Sequence, residues 1–232
     1  MTWGHELQNK EDTRYGRLVS DHFGATEHND AWPGGSNFRI VRRLNQHLLT
    51  DRPDFVFIMW TGLSRWESIG TGHRGSPYQQ LSPQVVFKQN YNVWGKQFHS
   101  DKLRATAYEH FYDAVFTGKD QIIIWLGQVI AVQNLCKYAG IPYAMSLAFY
   151  ENQTGLHNRE RFHEDVRREI EFYDSHIDWS KWVDNGKWAF RDHVRELGVE
   201  FGEKNHPLEK GHEIGSRHII DHIERIHGKV LL

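Results

Sequence analysis

Apolar positions recur at helical spacing in several stretches of the chain and run together in two others. Tyr15, Leu18, Val19, His22 and Phe23 share one face of a segment over 12–23 that Gly24 ends. Ile40, Val41, Leu44, His47 and Leu48 form the inner stripe of a helix predicted over about 38–50, which Asn37 can cap. Between these lie a short extended piece near 25–29 and the turn-forming segment DAWPGGSN at 30–37. RPDFVFIMW at 52–60 and IPYAMSLAF at 141–149 are continuous apolar runs entered through proline, the pattern of strands buried on both faces of a parallel sheet.

Residues 101–139 predict two successive helices that break near Gly118, and Gly140 ends the second. A charged helix is predicted near 158–173 and a final one over about 209–227, with Ile214, Ile219, Ile220, Ile223 and Ile226 facing inward. The stretch 61–100 has no clean period, which marks it as a long loop insertion of the kind that carries function. The region 176–200, rich in Trp and charge, gives no clear element. Helices alternating with parallel-type strands define an α/β protein, and no repeat or linker divides residues 1–232 into more than one domain.

Composition narrows the function classes. A net charge of −2 argues against a broad nucleic-acid-binding surface. Cys136, the only cysteine, excludes an intrachain disulfide and suggests a reducing compartment. The N-terminus has no apolar core of signal-peptide length. The longest apolar stretches, 55–60 and 122–136, fall short of a membrane span, so the expectation is a cytoplasmic, non-membrane protein. Nine Trp exceed ordinary usage and serve either a wide core or surfaces on which sugars stack. The sixteen His are spread along the chain, which suggests mostly surface roles. His212, His218 and His222 invite a metal reading, but no His-Glu-x-x-His spacing or evident carboxylate companion accompanies them, and no metal is expected there.

Three segments occur in a telling order: WGHEL at 3–7 with a helix after it, WPGGSNFRIVR at 32–42, and EKNHPLEKGHEIGSRHI at 203–219. PDFVFIMWTGLSRWE at 53–67 lies between the second and third. This layout resembles the SGNH (GDSL-type) hydrolases, and more narrowly their divergent members common in tailed-phage genomes. The resemblance implies a three-layer α/β/α sandwich with a mainly parallel, flavodoxin-like sheet. It also implies a serine esterase, in which a histidine takes the proton of a nucleophilic serine, a carboxylate orients that histidine, and backbone or side-chain N–H groups hold the oxyanion.

On that resemblance His206 matches the base and Glu203 its orienting carboxylate, where the family usually has Asp. Gly35 matches an oxyanion donor, with Gly34 the near alternative; Asn37 is either a further donor or the helix cap, and Thr61 stands where the family's asparagine would be. Trp32 either walls the pocket or simply packs, and Arg65 and Glu67 are substrate ligands or a structural ion pair. Ser36 is expected to make a turn or cap bond, and His5 and Glu6 to lie at the pocket rim.

The first, central strand and the serine that ends it are missing from the pattern, since Met1 stands where the residue after the serine should be. A start assigned too late, a true remnant and a remodelled sheet all account for this. The expected substrate is a small-molecule or carbohydrate ester, with an O-acetyl group on a carbohydrate as the first candidate, turned over without a cofactor. The alternative is a catalytically inactive carbohydrate-binding or virion-associated protein that keeps the fold. Oligomeric state is open.

Overall fold

The computed structural model describes residues 4, 6–69, 78–81, 118–150 and 159–228. Two apolar runs form its parallel ladder. β1 (Val56–Trp60) and β4 (Tyr143–Leu147) pair in parallel, from Val56 opposite Tyr143 to Trp60 opposite Leu147. On the other edge of β4 the ladder continues as single parallel bridges, Met145 to Trp182 and Leu147 to Ala189. The outer edge of β1 has no strand partner among the described residues.

Alternation along these strands sends side chains into two cores. Ile58 and Trp60 of β1 and Tyr143, Met145 and Leu147 of β4 pack with Leu44 of α3 (Asn37–Leu49), with α4 (Gly118–Ala139) and with Ile170 of α5 (Glu164–Ser175). Met59, Ala144 and Ala148 face the other way. They meet Tyr15 of α2 (Tyr15–His22), Phe190 and Val194 of α6 (Phe190–Glu196), and Ile219 and Ile223 of α7 (Glu209–His227). The molecule is therefore a helix-rich mixed α/β protein built on a small parallel sheet.

Several expectations are refined. The helix over 12–23 is two, α1 (Lys10–Thr13) and α2, because Arg14 between them is extended (φ −68°, ψ 146°). The piece near 25–29 is not a strand. Ser36, not Asn37, caps α3, its hydroxyl accepting the Arg39 N–H at 3.3 Å. Part of the supposed long loop is an antiparallel pair, β2 (Trp66–Ile69) with β3 (Tyr78–Leu81); 70–77 and 82–117, including the first helix expected before Gly118, lie outside the described residues. The charged helix near 158–173 is a 3₁₀ turn, Arg159–Arg161, followed by α5. The 176–200 region resolves into 3₁₀ turns at Trp179–Lys181 and Val183–Gly186 and then α6.

Among the described residues one helix, α4, is long and apolar enough to cross a membrane by length and composition alone, over Lys119–Ala139. Its place in the fold explains the apolarity. Ile122, Trp125, Leu126, Val129, Val132 and Cys136 are buried between α3, α5 and the sheet, and burial pushes the Cys136 thiol up to about 11. Tryptophan serves this core directly. Trp125 meets Trp60 and Trp182 edge-on at 6.5 and 6.1 Å, and Trp60 and Trp182 lie nearly parallel at 6.4 Å. The expectation of surface histidines fails at His212 and His222, both buried in α7.

Candidate functional site

A cleft of about 990 Å³ runs along the edge of β1 that faces away from β4. One wall is β1 from Val56 to Met59 with Phe55 just before it; the other is the irregular segment 25–32, with α2 and α3 closing the sides. That outer wall has no β-ladder to hold it, and side chains do the work instead. Arg14 donates to both oxygens of Glu27 at 3.1 and 2.7 Å, a pair shielded on both sides (11% and 10% side-chain exposure). Gly16 makes room for it, since a Cβ there would lie 2.5 Å from the Glu27 carboxylate. Farther along, Arg43 binds Oδ1 of Asp30 through Nη2 at 2.6 Å and Nε at 3.0 Å, and His47 contacts Oδ2. Burial works against ionisation of Asp30, yet the hydrogen bonds from Arg43 and His47 hold its carboxyl below the usual range.

Trp32, Gly35, Thr61, Arg65 and His206, all singled out from the sequence, line this cleft together with Gly34 and Ser36. They come from the glycine turn before α3, the end of β1, and the turn before α7. Gly34 takes a φ of 76° at no steric cost, letting the chain turn so that the Gly35 N–H closes on the Trp32 carbonyl at 2.9 Å. The Gly35 N–H is thus spent within the turn. Arg65 ties the turn to the strand end, donating from Nη1 to the Thr61 hydroxyl at 2.6 Å and to the Gly35 carbonyl at 3.3 Å. Its guanidinium carbon lies 5.8 Å from the Phe149 ring centre.

Asn37 and Thr61 lock together behind these groups. The Asn37 carbonyl accepts the Thr61 N–H at 2.9 Å, and its amide donates to the Thr61 carbonyl at 3.2 Å. Asn37 is buried, and its role is to fix the end of β1 against the start of α3. Glu67 is drawn off elsewhere, in a two-point ion pair with Arg42 at 2.8 and 2.9 Å rather than with Arg65.

His206 sits in a tight turn. Phe201 bridges Pro207, the His206 carbonyl accepts the Gly202 N–H at 2.9 Å, and Asn205 is left-handed (φ 64°). Glu203 is exposed and makes no bond to the His206 ring. The carboxylate that organises this turn is Glu6, which accepts the N–H groups of Lys204 at 2.8 Å and His206 at 3.3 Å. The beginning of the chain thus lies beside His206; His5, expected at the same rim, is outside the described residues.

The C-terminal histidines do not converge on one another. His218 bonds Asp184 at 2.7 Å, Arg225 donates to His222 at 2.8 Å, and His212 accepts the Tyr15 N–H at 3.0 Å. Sequence reasoning passed over a different group, His28, Asp30 and His47, whose ligand atoms all lie within 4.8 Å of one another. The His-x-Asp spacing at 28–30 was the available signal, but nothing in the sequence placed His47 beside it.

These features define a mixed α/β protein with a cleft along an edge of its parallel strand pair that has no strand partner among the described residues. The chain belongs to a family of unknown function, DUF6071, which matches residues 5–231. No curated protein and no solved structure matches it.

Proposed function

We propose that this protein is an ester hydrolase of the SGNH type, with His206 as the proton acceptor. The observation that carries the reading is that Trp32, Gly35, Thr61, Arg65 and His206, from three distant parts of the chain, line one cleft at the end of a parallel strand. Ligand sites of α/β sheets gather at such strand ends. No described strand pairs with the outer edge of β1, and in this reading a further strand there carries the serine and completes a three-layer sandwich.

The serine Oγ attacks the ester carbonyl as its proton passes to the His206 ring. The alcohol leaves with that proton, and water then frees the acyl group by the reverse sequence. Arg65, with the Gly34 N–H, takes the oxyanion role, because the Gly35 and Thr61 N–H groups are already bonded. The substrate class is a small or carbohydrate ester, with an O-acetyl group the first to try; this chemistry needs no cofactor, and a cytoplasmic setting fits the lone buried thiol.

The test is turnover of O-acetylated carbohydrate by protein from its native source, with and without His206→Ala. Turnover lost in the variant supports the reading. Sugar binding without turnover in either form would replace it with a non-catalytic carbohydrate-binding role.

A further inference from the structure

We propose that His28, Asp30 and His47 form a binding site for a divalent transition metal of the zinc class, at the end of the cleft beside the last turn of α3. The three side chains come from two elements: His28 and Asp30 are two apart on the outer wall, and His47 reaches them from the helix. His28 Nε2 stands 3.9 Å from Asp30 Oδ1, too far for a hydrogen bond. His47 Nε2 contacts the other oxygen, and the two imidazole rings meet edge-on with centres 4.5 Å apart.

Metal–ligand bonds of about 2.0–2.2 Å in a tetrahedral site place ligand atoms roughly 3.4 Å apart. Three donor atoms mutually within 4.8 Å need only a small inward movement to reach that spacing. Two imidazoles and one carboxylate are a donor set suited to zinc, cobalt, nickel or copper rather than to magnesium or calcium. Arg43 holds Asp30 Oδ1 from two nitrogens and so presents Oδ2 as a single-oxygen ligand, the outer-shell support such sites use. On binding, the ion takes the place of the direct His47–Asp30 contact, with His47 coordinating through Nε2 as a neutral ring that keeps its proton on Nδ1. His28 is 70% exposed, so the site opens to solvent, and three protein ligands leave a fourth position for water or a substrate oxygen.

The inference is independent of the esterase reading. Tag-free protein is titrated with Co²⁺ and followed by its visible ligand-field bands, then with Zn²⁺ as competitor. The expected result is one Co²⁺ per chain, displaced by Zn²⁺, with the bands lost in His28→Ala and in His47→Ala and retained in His218→Ala. Arg43→Met, which keeps all three ligands, weakens binding by about 10- to 100-fold. Because His28 is exposed, its variant folds, and its circular dichroism and thermal midpoint confirm that. Absence of bands in the parent protein, or bands that survive in His28→Ala, overturns the site.

Discussion

His212 lies within α7 with no exposed surface, yet its job is at the other end of the chain. Its Nδ1 accepts the N–H of Tyr15, the first residue of α2, so an imidazole 197 residues away satisfies a helix-start donor that no local side chain caps. The ring is neutral in the fold, since burial pushes it down to about 3 from an ordinary 6.5. Protonation would cost it this bond. In the unfolded chain the ring protonates at its ordinary value, so His212 contributes stability above about pH 6.5 that is lost progressively as pH falls towards 3. Linkage over that interval gives a loss of about 2 kcal/mol between pH 8 and pH 5, nearing 4–5 kcal/mol at pH 3.

His222, pushed down by burial to about 4, adds a loss of the same sign and similar size by pH 5. The replacement His212→Asn keeps an acceptor near the Nδ1 position and removes the titration. Urea unfolding at about pH 8 and pH 5 measures both proteins, and the expected outcome is a pH-dependent drop smaller by about 2 kcal/mol in the variant. An unchanged drop would show that His212 is not the buried neutral base described.

The outer wall of the cleft depends on the Arg14–Glu27 pair, so Glu27→Gln, which leaves the shielded Arg14 guanidinium only the exposed Glu11 as an ion-pair partner, should destabilise by about 1–3 kcal/mol in urea and hasten proteolysis within 24–32. A Cβ at Gly215 would lie 2.1 Å from the Phe190 ring, and Gly215→Ala should lower stability by roughly 1–3 kcal/mol, read as a fall in thermal midpoint. Asn37→Ala strands the buried Thr61 peptide, with an expected cost of about 2–3 kcal/mol in denaturant unfolding.

The strands and the last helix were legible because each obeys one strong local rule. VFIMW and YAMSL are continuous apolar runs, and α7 places isoleucines at helical spacing from Ile214 to Ile226. The errors share another cause, bonds made across long sequence distances. The 12–23 segment has the periodicity of one helix, but Arg14 turns to Glu27 and the Tyr15 N–H turns to His212, so the helix restarts at Tyr15.

The same holds at the site. His206, Gly35 and Arg65 could be proposed from motif order, and they do share a cleft. That Glu203 faces solvent while Glu6 organises the His206 turn, and that Glu67 belongs to Arg42, depends on how distant segments meet. The spread of histidines along the chain suggested surface roles; α7 instead buries two rings in their neutral forms.

The proposed esterase requires a serine seated along β1 and activated by His206. The most direct measurement is labelling of native-source protein with a fluorophosphonate probe, followed by mapping of the modified peptide, in the parent and in His206→Ala. The account predicts a single labelled serine on a segment that occupies the cleft beside β1, with labelling abolished in the variant. Protein that stays unlabelled, or a label on a serine remote from the cleft and indifferent to His206, would contradict it.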